Sequence, residues 1–103
     1  GTNRVYATST LRVMYSSLTT PLKWEDYDMN TGDFSLVKQQ ECLQYNPEEY
    51  ITKRMFATAS DGRQIPMAVV HRKDIPEGPA PTFLYGYGSY GICIDPSFNP
   101  RLL

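Results

Sequence analysis

Two tetrapeptides constrain this chain more than any other feature. Asn30-Thr31-Gly32-Asp33 and Ser60-Asp61-Gly62-Arg63 each separate runs of β-branched, aromatic and apolar residues, and each offers a glycine able to take the positive φ of a tight reversal. Before the first, residues 11–16 ("LRVMYS") alternate with the period of two expected of a half-buried strand. "SLTTP" breaks that run, "LKWEDYDM" (22–29) sets Leu22, Trp24 and Tyr27 among charged residues, and "FSLVKQ" follows the turn. The punctuation predicts three short antiparallel strands, about one blade of a larger β structure and too few to enclose a core. The second tetrapeptide joins "ITKRMFATA" to "RQIPMAVVHR", so residues 51–72 read as a second hairpin. Pro66 inside its second arm points to an edge position or a bulge.

Between the hairpins the pattern changes. "QECLQYNPEEY" (40–50) carries Asn46 as an N-cap, Pro47 at a first helical position, and Glu48 and Glu49 in the first turn, which predicts a short helical turn and a domain boundary. The two glutamates read as complements to that turn's dipole and to solvent; paired catalytic carboxylates would face each other across a cleft. After the second hairpin, "KDIPEGPAP" is a proline-rich connection. "TFLYG" then reads as a third strand of this region, buried on both faces.

Charge excludes several classes of partner. Ten Lys and Arg stand against eleven Asp and Glu, with no block of one sign, so there is no electrostatic footprint for nucleic acid or an anionic membrane. No stretch approaches the ~20 apolar residues of a membrane span, and "GTNRVYATST" lacks the apolar centre of a secretory signal. Cys42 and Cys93 match no metal-ligand spacing and are too few for a stapled secreted domain, which points to reduced, structural, buried or half-buried thiols in the cytosol. Neither a metal nor a cofactor is expected. An opening without Met and a close on "NPRLL" give both ends the look of a piece cut from something longer.

The stretch "TFLYGYGSYGICIDP" (82–96) admits three chemistries. Gly86, Gly88 and Gly91 spell Gly-x-Gly-x-x-Gly, but a dinucleotide loop needs a helix opening at the third glycine. Pro96 and Pro100 fall in the first turns of that helix, where each would remove a backbone donor and clash. Ser89 invites comparison with the Gly-x-Ser-x-Gly nucleophile elbow, yet position 87 is Tyr where the elbow needs a small residue, so Ser89 reads as a loop hydroxyl. The third chemistry belongs to Tyr85, Tyr87 and Tyr90, which are interleaved with glycine. At the C-terminal end of a buried strand, a tyrosine hydroxyl can donate to a developing oxyanion, while glycines let substrate approach. Aromatics that only pack, with exposed tips, are the alternative, and composition by itself favours them.

Taken in order, "SSLTTPLKWEDYDMNTGDFSLVKQQE", "ATASDGRQIPMAVVHRK" and "PTFLYGYGSYGICIDPSF" resemble the prolyl oligopeptidase family of serine peptidases, most of all its oligopeptidase B branch. The likeness runs from about residue 12 to residue 103, and "SSLTTP", "YDMNTG" and "YGYGSYG" are its most specific parts. It implies a parent of two domains, a seven-bladed β-propeller capping an α/β-hydrolase domain. Residues 1–42 would then be the end of the propeller and residues 43–103 the incomplete start of the hydrolase. The second tyrosine of "YGYG" transfers to Tyr87 as an oxyanion-hole donor, and Tyr90 to an aromatic lining the primary specificity pocket. The family's nucleophilic Ser, Asp and His follow this loop in chain order, so His71, which precedes it, reads as a solvent-facing strand-end residue. The resemblance therefore implies a piece, silent alone, that works with the remainder of its parent chain on short peptides cut after Arg or Lys. A prolyl-specific peptidase is the alternative within the family. Should the chain be complete, a non-catalytic β-rich interaction module is the alternative outside it. Holding strands of two domains, the chain by itself is expected to be partly ordered at best.

Overall fold

Alternation becomes strand pairing in the computed structural model, which describes residues 3–103. Thr10–Tyr15 (β1), Lys23–Asp28 (β2) and Phe34–Gln39 (β3) form an antiparallel sheet in that order, and Tyr50–Thr58 (β4) pairs antiparallel with Gln64–Arg72 (β5) in a second sheet. The described residues divide into two units, residues 3–45 with 97–103, and residues 46–96.

In the first unit, β2 lies between its neighbours, and every residue along it is half-buried, whereas β3 is exposed throughout. The register Leu11↔Tyr27↔Phe34 places these three on one face, where the rings of Tyr27 and Phe34 lie 4.8 Å apart. The opposite face carries Arg12↔Asp26, a directly opposed pair in which the guanidinium donates two bonds of 2.7 and 2.8 Å to one carboxylate. The β2–β3 register steps between Trp24 and Glu25, where Trp24 faces Lys38 and Glu25 faces Leu36, leaving Val37 unopposed. Lys38 Nζ then lies 5.8 Å from the centre of the Trp24 ring. Alternation alone did not foreshadow this bulge.

Both hairpin turns follow their glycines. Gly32 has φ +80° and Gly62 φ +83°, values that a side chain would strain. Around the first turn, the Asp28 side chain accepts from the Asn30 and Thr31 amides, and the Asp28 carbonyl accepts from Gly32 N at 2.8 Å. The second turn closes through Gly62 N to Ala59 O (2.9 Å) and Ala59 N to Arg63 O (2.8 Å). Pro66 pairs with Phe56 in an unbroken register of a two-stranded sheet, so it occupies an edge strand without a bulge.

Pro47–Glu49 form one 3-10 turn, capped by Asn46 Oδ1 accepting from Glu48 N at 3.1 Å. Glu49 does more than face solvent. Its carbonyl accepts from Lys73 N (2.8 Å), and its carboxylate lies 3.8 Å from Arg72 Nη2, tying the turn to the end of β5.

Three expectations are corrected. Residues 82–86 form no strand: Phe83, Leu84 and Tyr85 are 74%, 84% and 66% exposed. A strand buried on both faces draws its hydrogen bonds from neighbours on either side, and none pairs with it among the described residues. Cys93, in the same irregular stretch, is consequently exposed, while Cys42 is half-buried; both thiols are free. His71, next to last in β5, is half-buried, with Nδ1 2.8 Å from the Arg72 carbonyl oxygen.

Pro21 is the one buried residue among those described, and no large apolar side chain joins it in a core. A sheet of three short strands and a sheet of two have too few layers to cover their own faces.

Candidate functional site

The tyrosine-glycine segment owes its form to what it cannot pair with. From Ile75 to Ser97, a single backbone-to-backbone hydrogen bond forms among the described residues, from Ile92 N to Ser89 O at 3.0 Å. Inside that turn both central residues take positive φ, +56° at Tyr90 and +69° at Gly91, the signature of a type I′ reversal. Gly91 meets this requirement freely. Tyr90 does not: an aromatic residue in the left-handed region is strained by roughly 1 to 2 kcal/mol, and such outliers gather at functional sites. The turn presents the Tyr90 ring almost wholly to solvent.

Tyr87 is half-exposed, and its hydroxyl meets no partner among the described residues. On either side, Gly86 and Gly88 have ordinary φ, and a Cβ added to either would meet nothing within 4 Å. Neither glycine answers to a strained backbone or to a neighbour in this chain. The space where those side chains would sit is open among the described residues. Tyr87 and Tyr90 thus share one loop, but no ring contact or hydrogen bond joins them among the described residues.

The other groups weighed from sequence are placed elsewhere. Ser89 contributes its carbonyl to the turn, and His71 lies in β5. Glu48 and Glu49 belong to the 3-10 turn. Among the described residues, no group of three or more His, Cys, Asp or Glu could hold a metal, and no helix is long and apolar enough to cross a membrane. Two shallow concavities line β1–β3, one at Asn3, Arg12 and Asp26 and the other at Thr10, Asp28 and Asp33, neither of them formed by the tyrosines. Sequence reasoning missed the left-handed Tyr90. The signal was present in the Tyr-Gly pair at 90–91, because a glycine at the second corner of a short polar loop permits the I′ turn that strains its neighbour.

Compared with known proteins, the chain matches no family model. It is 42% identical over 94 residues to dipeptidyl aminopeptidase BI of Pseudoxanthomonas mexicana, covering 89% of this chain and 13% of that protein. It is 37% identical over 86 residues to a prolyl endopeptidase of Elizabethkingia meningoseptica, covering 82% of this chain and 12% of the relative. Among solved structures, oligopeptidase B from Trypanosoma brucei, in a closed form with covalently bound antipain, superposes with a TM-score of 0.83 at 44% identity over 97% of this chain and 14% of that one. The chain therefore spans about one eighth of the length of the curated relatives it matches.

Proposed function

Because this chain belongs to the prolyl oligopeptidase family of serine peptidases, we propose that it is one part of an oligopeptidase B-like serine endopeptidase and that Tyr87 donates to the oxyanion in that enzyme. Residues 1–42 are read as the end of the β-propeller and residues 43–103 as the opening of the α/β-hydrolase domain. The irregular residues between β3 and the 3-10 turn support a boundary there. The nucleophilic Ser, with its Asp and His, comes from the remainder of the parent, so the chain alone is inactive. Two free thiols suit a cytosolic setting.

One observation carries the reading: a tyrosine hydroxyl without a partner among the described residues, flanked by two glycines whose missing Cβ atoms leave open space. In acyl transfer, the serine oxygen, its proton taken by histidine, adds to the scissile carbonyl, whose oxygen gains negative charge. A donor about 3 Å from that oxyanion stabilises the transition state more than the substrate, because the charge exists only there. Tyr87 Oη supplies such a donor alongside a backbone N–H near the nucleophile. Tyr90, displayed by its turn, supplies an aromatic wall for the residue preceding the cleaved bond.

In the complete peptidase, Tyr87→Phe is expected to lower kcat about 10²- to 10³-fold with little change in KM, the loss typical of one oxyanion donor. Steady-state kinetics on arginyl and prolyl peptide substrates checks this and also separates cleavage after Arg or Lys from prolyl specificity. An unchanged kcat removes Tyr87 from the site.

A further inference from the structure

The reversal at residues 89–92 is held by its own four residues. Ile92 N donates to Ser89 O at 3.0 Å, and the two residues between them take φ of +56° (Tyr90) and +69° (Gly91). Both angles, and the bond that closes them, lie inside the consecutive residues Ser89, Tyr90, Gly91 and Ile92, so the turn is set by local chain chemistry. Among the described residues, only Gln44 and Tyr90 combine a side chain with positive φ, and Tyr90 is the aromatic one.

The two central residues bear that geometry unequally. Glycine takes either hand of backbone readily, whereas a side chain in the left-handed region crowds the following carbonyl oxygen and disfavours that region roughly tenfold. The turn therefore carries one such penalty, at Tyr90, and escapes a second at Gly91. A second would favour the ordinary type I turn, whose backbone is the mirror image of I′. Because an L-residue keeps its own chirality while the backbone is mirrored, a change of hand carries the Tyr90 Cβ to the opposite face of the reversal. Space does not decide the matter: a Cβ built on Gly91 meets nothing within 4 Å among the described residues, so a substitution there acts on the hand of the turn.

We infer that Gly91 is a positioning residue for Tyr90: by accepting the left-handed backbone, it fixes the side of the turn from which the Tyr90 ring meets the substrate residue preceding the cleaved bond. This rests on the aromatic wall proposed for Tyr90. Gly91 itself needs no contact with substrate. A wall that holds a side chain equally before and during bond making contributes uniform binding, so its loss raises KM and leaves kcat nearly unchanged, unlike the loss of an oxyanion donor. Asn enters the left-handed region more readily than other residues with a side chain, through local hydrogen bonds of its short amide, and β-branched residues are the least suited to it.

The test is a double-mutant cycle in the complete peptidase, pairing Gly91→Val with Tyr90→Ala and reading kcat and KM on whichever of an arginyl or a prolyl peptide is turned over. Gly91→Val is expected to raise KM about tenfold with kcat changed less than about twofold, and to raise KM less than about twofold in the Tyr90→Ala background. Gly91→Ala, milder than Gly91→Val, is expected to raise KM about threefold and keeps the inference falsifiable should the Val variant fail to fold. Gly91→Asn, which keeps the left-handed backbone, should hold KM closer to that of the unsubstituted enzyme than Gly91→Ala does. Equal rises of KM in both backgrounds, a KM for Gly91→Asn no better than that for Gly91→Ala, or a loss confined to kcat each overturn the inference and leave the Tyr90 wall standing. A Tyr90→Ala enzyme with unchanged KM overturns the inference and the wall together.

Discussion

β4–β5 and the tyrosine-glycine segment are neighbours in the same unit and are built from similar residues, yet one is a regular ladder and the other is almost free of hydrogen bonds. "RQIPMAVVHR" and "PTFLYGYGSYG" are both rich in strand-forming residues. What separates them is the distance to a partner. β5 finds β4 across a reversal at Gly62, so its backbone groups are satisfied locally. Residues 82–86 have no such partner among the described residues, and an apolar run without neighbours leaves its donors to water. A strand is thus a property of a pair, and composition describes only one member.

Amide hydrogen exchange gives the sharpest contrast. Amides bonded between β4 and β5 are expected to exchange at least about tenfold more slowly than those of Phe83 to Tyr90 in the isolated chain. Slow exchange at Leu84 and Tyr85 would erase the difference.

A pair of glycine substitutions probes it next. Gly62→Val forces a β-branched residue to φ +83° and should cost the β4–β5 hairpin about 1 to 3 kcal/mol, seen as lost exchange protection. Gly86→Ala places a Cβ in open space at ordinary φ and should change stability by less than about 0.5 kcal/mol. Equal effects would mean that the segment is more ordered than its bonding indicates.

The smallest effect concerns the junction of the two regions. Hydrogen bonds from the Arg72 guanidinium, together with its charge, hold the Asp74 carboxyl below the usual aspartate range. A folded-state pKa below the unfolded one gives stability that is complete above the unfolded value, about 3.9, and is lost as pH falls through the folded value. Carboxyl-carbon NMR should therefore show Asp74 titrating at lower pH than a free aspartate, and Arg72→Gln should return the midpoint to the ordinary range. Asp26 is lowered in the same way by Arg12 and makes an internal comparison.

Legibility followed the range of the interactions. The two hairpins, their glycine turns and the Asn46 cap could be read directly, because each depends on residues within a few positions of one another. The β2–β3 bulge was not legible, since Trp24 opposite Lys38 and Glu25 opposite Leu36 is a choice between registers with similar alternation. Tyr87 and Tyr90 stand out in the sequence by their glycine neighbours, and the sites proposed for them rest on resemblance, whereas the left-handed φ that Tyr90 takes was seen in the folded loop. The third strand of the second region was misread because an apolar run announces burial without saying who provides it.

The order of local elements, the places where the chain reverses, the absence of a helix after Gly91 and the match to the prolyl oligopeptidase family were all determined by the sequence itself, through turn chemistry, proline and motif. Tertiary structure alone brought Ser16, Thr19, Tyr45 and Phe98 together and left the Tyr87 hydroxyl without a partner among the described residues. Residues so far apart in the chain meet only after loops have closed at an entropic cost, and no local preference records where those loops will end.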